Sequence, residues 1–146
     1  MPVAGDLEST TYIPGDLFSV NTATAAAVPR LFSRNERLSC IFGTAHGTMA
    51  SVMVGAMIVA SIETVWGGLV PPHQKDVVTT DFAAGTANEA QQTVHLEAGA
   101  EMGRFLLGST VILLFEPDRI DWNADLKPGS VVRMGQSIGR YLNAGA

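Results

Sequence analysis

A chain of 146 residues with 47% hydrophobic and 16% charged residues can bury one packed core, which excludes intrinsic disorder and leaves it light in solvated surface for a free monomer. Nine Lys and Arg against fourteen Asp and Glu give a net charge of -5, and no basic cluster is present to neutralise a run of phosphates, so nucleic acid is excluded as a partner. The single Cys40 rules out an internal disulfide, and the first residues lack the basic, apolar, small-residue order of a signal peptide; both set the expectation of a cytoplasmic protein.

In chain order, Pro14-Gly15 is the first turn signal, and alanine-rich Thr22–Val28, between Asn21 and Pro29, is the best helical stretch. Leu38–Phe42 and Met49–Val54 are short apolar and β-branched runs separated by Gly43 and His46-Gly47, the pattern of adjacent strands. The apolar window Met49–Ile62 falls short of the roughly 20 residues a spanning helix needs. It is also interrupted by Gly55, which predicts buried strands and limits any membrane contact to the periphery. Gly67-Gly68 and Pro71-Pro72 mark turns, and polar Asp81–Gln92 reads as a loop. Thr110–Phe115 and Ser130–Arg133 read as strands, with turns at Pro117-Asp118 and Pro128-Gly129. The whole of 1–146 is expected to form one mainly β domain with one or two short helices and no linker.

One similarity is internal. Gly99-Ala-Glu-Met-Gly103-Arg104-Phe105 recurs in outline as Gly135-Gln-Ser-Ile-Gly139-Arg140-Tyr141, each of the form Gly-x-x-apolar-Gly-Arg-aromatic. A turn glycine leading into a strand, then a second glycine where backbones approach, predicts a duplicated β unit of sandwich or barrel-sandwich type. The second copy, preceded by Lys127-Pro-Gly129, is similar to the hairpins of biotinyl and lipoyl carrier domains. It has no lysine in a Met-Lys-Met or Asp-Lys-Ala tip, so a carrier function is rejected.

His46, His73 and His95 lack the close pairing of a zinc motif, and no metal site is expected. Gly-x-Ser-x-Gly, phosphate-loop and dinucleotide signatures are absent. Gly108-Ser109-Thr110, set between two strongly apolar runs, admits two readings. One is a glycine bend in a buried strand whose hydroxyls bond to neighbouring backbone. The other is chain cleavage, in which the Ser109 hydroxyl attacks the carbonyl of an unhindered Gly108.

Leu107-Gly108-Ser109-Thr110 resembles the Leu-Gly-Ser-Thr processing site of bacterial phosphatidylserine decarboxylases. Further blocks resemble that family in the same order: Tyr12-Ile-Pro-Gly-Asp-Leu-Phe-Ser-Val-Asn21, Leu31-Phe32-x-Arg34-Asn35-Glu36-Arg37, Val54-Gly55-Ala56, Ser61-Ile62-Glu63-Thr64-Val65-Trp66 and Glu101-Met102-Gly103-Arg104-Phe105. Together they extend from about Met1 to Leu142. The resemblance implies a zymogen that cleaves itself at Gly108-Ser109 into a β chain, 1–108, and an α chain, 109–146, which stay together as a heterodimer and can join a larger assembly. It implies a pyruvoyl cofactor derived from Ser109, which forms a Schiff base with the amine of phosphatidylserine and accepts electrons as carbon dioxide leaves, giving phosphatidylethanolamine. It also implies a substrate pocket at Phe18, Ser19, Val20 and Asn21, with Val20 near the serine carboxylate, and a peripheral position on the cytoplasmic side of the membrane. An ordinary strand valine is the other reading of Val20.

This sequence departs from the family at Ala60, where glycine is usual, and at Ala98, where lysine is common. Met1-Pro2 matches a position a few residues after the family's histidine motif, so the upstream Asp and His that assist self-cleavage precede these residues. A serine hydroxyl without a base is a weak nucleophile, and this stretch alone is expected to stay uncleaved. The competing expectation is therefore a truncated, unprocessed, non-catalytic β domain of the same family.

Overall fold

The computed structural model describes residues 1–56, 62–82, 93–106 and 110–142. In chain order these form β1 (Gly5–Ile13), α1 (Thr22–Ala27), α2 (Leu31–Arg34), β2 (Arg37–Thr44), β3 (Gly47–Val54), β4 (Ile62–Thr64), β5 (Gly68–Leu69), β6 (Val78–Asp81), β7 (His95–Leu96), β8 (Gly103–Phe105), β9 (Thr110–Phe115), β10 (Ile120–Trp122) and β11 (Gly139–Tyr141). The chain is mainly β, as its turn spacing predicts, with two short helices.

The largest sheet is antiparallel, in the order β6-β1-β2-β3-β9, with β7 on the same edge of β1 as β6. Alternation along β1, β2 and β3 sends Leu7, Tyr12, Leu38, Cys40, Phe42, Met49 and Met53 to one face, where they are buried as one cluster. A second layer covers that face. The three-stranded sheet β5-β4-β8 contributes Ile62 to the cluster, and Trp66, Met102 and Phe105 pack against it. Phe42 meets Trp66 edge to face, with ring centroids 6.1 Å apart. The third sheet, β10-β11, abuts the end of the main sheet, where Phe115 packs against Trp122 and Tyr141. None of the three sheets closes into a barrel among the described residues.

The internal repeat folds alike in its two copies. Gly99 and Gly135 both adopt positive φ, 82° and 79°. Each leads to a three-residue strand paired antiparallel with an Ile-acid-x strand: Ile62↔Phe105, Glu63↔Arg104 and Thr64↔Gly103 in one pair, Ile120↔Tyr141, Asp121↔Arg140 and Trp122↔Gly139 in the other. Arg104 sits 3.8 Å from Glu63, and Arg140 sits 2.8 Å from Asp121, so the opposite charges meet across the same rung. The duplication thus includes partner strands that the seven-residue pattern alone does not reveal.

Two expectations need correction or qualification. Ser130–Arg133 is not a strand: it lies between turns at Pro128-Gly129 and Met134-Gly135, no strand among the described residues pairs with it, and Val131 is 88% exposed. The loop expected at Asp81–Gln92 begins differently, since Asp81 still belongs to β6, and 83–92 lie outside the described residues.

Candidate active site

Gly108 and Ser109 lie outside the described residues, whereas both flanks are described. Leu106 ends the run after β8 and is 64% exposed. Thr110 opens β9 directly opposite Val54, the last residue of β3. The chain on the far side of the expected cleavage motif is therefore anchored in the main sheet from its first described residue.

The Phe18–Asn21 segment is fixed by three local devices. Asn21, extended at φ -141°, caps α1: its Oδ1 accepts from the Thr24 backbone at 2.9 Å and from the Thr24 hydroxyl at 3.1 Å, while its Nδ2 donates to Ser19 Oγ. The Arg34 guanidinium lies 4.5 Å above the Phe18 ring and 3.3 Å from Asp16. The third device is Asn35, which is fully buried. Its Oδ1 accepts from the Phe18 N–H at 3.0 Å, and its Nδ2 donates to the Phe18 and Gly55 carbonyls, both at 2.8 Å. Val20 is half-buried and Asn21 exposed.

Neighbouring Glu36 is also buried, at 2% exposure. Its carboxylate accepts from Tyr12 Oη at 2.9 Å and from the His73 backbone at 3.1 Å, and its own backbone links Asp16 to Gly55. Burial, and then the bond to Glu36, push the Tyr12 phenol above its ordinary value. Gly15 permits this junction, because a Cβ there would strike the Arg34 carbonyl oxygen. Asn35 and Glu36 thus tie the end of β1, the segment that holds Phe18, the end of β3 and the 71–74 turn together. Leaving such buried backbone groups unpaired costs about 1–3 kcal/mol each.

A continuous path results: Phe18, Asn35, Gly55, Val54 and Thr110. It brings the segment expected to form the pocket to the strand end beside the expected cleavage motif. A separate cleft of about 340 Å³ lies under Tyr12, Trp66 and Gln74; Phe18, Ser19, Val20 and Asn21 do not line it. The histidines are scattered. His46 stacks on Tyr141 at 4.2 Å, His73 contributes its backbone to Glu36, and His95 pairs with Asp6. Among the described residues no group of His, Cys, Asp and Glu could hold a metal ion.

The family model described as phosphatidylserine decarboxylase matches residues 1–140. The chain belongs to the phosphatidylserine decarboxylase family. It is 58% identical over 140 residues to a phosphatidylserine decarboxylase proenzyme of Stutzerimonas stutzeri, covering 96% of this chain and 46% of that protein. It is 56% identical to one from Pseudomonas fluorescens strain Pf-5 over 142 residues, 97% of this chain and 48% of that protein. The Pseudomonas putida F1 proenzyme is 54% identical over 145 residues, with 99% and 49% covered. The chain thus spans about half the length of these curated relatives. Membership extends through the Phe18–Asn21, Asn35-Glu36 and Gly108-Ser109 blocks.

Sequence reasoning read Asn35 and Glu36 as members of a family block and gave them no role. A usable signal was present: polar Arg34-Asn35-Glu36-Arg37 separates buried Leu31 from a buried strand, leaving little room for both central side chains to reach solvent.

Proposed function

We propose that this chain carries the cleavage site and part of the substrate pocket of a phosphatidylserine decarboxylase that converts phosphatidylserine to phosphatidylethanolamine and carbon dioxide. The observation that supports this reading best is the family match over 1–140, which encloses Leu107-Gly108-Ser109-Thr110. In the proposed maturation, Ser109 Oγ adds to the Gly108 carbonyl carbon and the amide nitrogen leaves, converting the peptide link to an ester. Loss of the Ser109 Cα proton then expels the Gly108 carboxylate and leaves dehydroalanine. Water replaces its nitrogen, ammonia departs, and the second piece begins with a pyruvoyl group.

The residue type at 109 fits such a group, and the pairing of Thr110 with Val54 fits the need to hold it still. When present, its conjugated carbonyl supplies an electron sink for the pair released with carbon dioxide. The chain's own part is positional. Thr110 anchors the new terminus, Asn35 holds Phe18, and Asn21 fixes the turn after Val20, where the serine headgroup is proposed to sit. The lipid substrate also leads us to propose peripheral work at the cytoplasmic face of the membrane, by a heterodimer of the two pieces that can assemble further. Among the described residues no helix is long and apolar enough to cross a membrane.

The test is expression from the chain's own gene locus, so that any adjoining coding sequence is retained. Intact mass is expected to show division between 108 and 109, with the second piece blocked to N-terminal sequencing. Ser109→Ala is expected to stay whole and form no phosphatidylethanolamine from phosphatidylserine vesicles. An uncleaved wild-type chain without turnover would favour a non-catalytic β domain, and cleavage persisting in Ser109→Ala would sink the assignment of the nucleophile.

A further inference from the structure

Phe18–Asn21 lies outside the regular strands and helices, apart from the cap at Asn21, so something other than a β ladder must set its place. The backbone groups of Phe18 both bond to the Asn35 side chain, N–H to Oδ1 and C=O from Nδ2. A carboxamide used this way imitates the rung of a strand: it presents one donor and one acceptor to a single residue. Its second N–H reaches the Gly55 carbonyl, one residue beyond the Val54↔Thr110 pair. The side chain is fully buried, so water does not stand in for a lost bond as it would at the surface.

We infer that Asn35 is a positioning residue for decarboxylation, setting the distance between the headgroup-binding segment Phe18–Asn21 and the strand that starts at the cleavage site. The inference rests on the proposed function for its consequence, though not for its geometry. Residue chemistry narrows the choice to asparagine. Aspartate keeps the acceptor for the Phe18 N–H and loses both donors. Leucine has neither, and serine is too short to reach two segments at once. Glutamine has the right groups on a longer arm, in a site already filled.

Two readouts of Asn35→Ala and Asn35→Asp, made in the protein expressed from its own locus, decide the matter. The first is amide hydrogen exchange. Protection of the Phe18 amide is expected to fall at least about tenfold in Asn35→Ala, while amides of the β1–β2 rungs around Tyr12 and Leu38 keep theirs. Unchanged protection at Phe18 overturns the inference. The second compares self-cleavage with decarboxylation of phosphatidylserine vesicles. Cleavage takes place within the chain at the 108–109 link and does not use the headgroup-binding segment, so it is expected to proceed, whereas kcat/KM falls on the order of 10- to 100-fold, mainly through KM. A loss of sheet protection, cleavage and turnover in the same proportion would show that Asn35 merely supports the fold, and would also overturn it. If the wild-type protein neither cleaves nor decarboxylates, the proposed function fails, and the exchange experiment still decides whether Asn35 places the segment.

Discussion

Cys40 and His95 show how differently two titratable side chains are treated by one β sheet. Cys40 points into the core from the middle of β2 with no exposed surface, and burial pushes its thiol up to about 12. Neutral thiols are poor nucleophiles, so an aromatic disulfide reagent at pH 8 is expected to leave Cys40 unlabelled in the folded chain and to label it fully in denaturant. Rapid labelling under native conditions would mean that the β1–β2–β3 face opens far more easily than its packing implies. His95 lies at the surface with Asp6 Oδ1 2.8 Å from Nδ1 and Glu97 3.4 Å from Nε2. The hydrogen bond to Asp6 raises its affinity for a proton. A raised folded value means that the interaction contributes fully below the ordinary histidine range and is lost as pH rises through the raised midpoint. Nuclear magnetic resonance titration is expected to give His95 a midpoint above that of a free imidazole, with Asp6→Asn bringing it down. No movement in Asp6→Asn would remove Asp6 as the cause. The blocks around Phe18–Asn21 and Gly108-Ser109 carry the family resemblance in the sequence because short motifs record them. The Asn35 clamp was not legible there, because burial of a polar side chain depends on partners 17 and 20 residues away.

Elements were legible where local pattern and tertiary pairing agree. Leu38–Phe42, Met49–Val54 and Thr110–Phe115 fall within β2, β3 and β9. Thr22–Val28 differs from α1 by its last residue, which is the cap. Val131 and Val132 carry the same β propensity as those strands, yet propensity without a partner ladder makes no strand. The repeated strand pair offers a graded test of close approach. A Cβ on Gly103 would press into the Glu63 carbonyl oxygen with Met53 Cε behind it, whereas on Gly139 it would meet the Asp121 carbonyl oxygen at 3.0 Å and Ile120 Cγ2 at 3.1 Å, a milder overlap with the backbone. Gly103→Ala is therefore expected to destabilise by about 1–3 kcal/mol and Gly139→Ala by less, as read from denaturant midpoints at constant slope. An equal or reversed order would mean that the two copies are not packed as their shared pairing suggests.

At the scale of the whole molecule, division between 108 and 109 would separate β1–β8 from β9–β11, and the fold makes clear what would still join them. β9 is paired along its length to β3, from Val54↔Thr110 to Met49↔Phe115, so both pieces share one sheet. Glu116 Oε1 accepts from the Thr48 backbone at 2.7 Å, and His46 stacks on Tyr141 across the same boundary. Backbone hydrogen bonds and the packing of Phe115 on the core do not depend on the severed link, so the pieces are expected to co-elute in native size exclusion and to part only in denaturant. The Glu116 contact adds a pH dependence. The Thr48 N–H, with Arg119 3.4 Å away, holds its carboxyl below the ordinary range. A depressed folded value places its contribution above the usual carboxylate pKa and removes it as pH falls through the lower one. The denaturant needed to separate the pieces should accordingly drop on acidification, and drop less steeply in Glu116→Gln. Spontaneous separation at neutral pH would show instead that the strand pairing across the cut is too weak to keep the two halves of the site together.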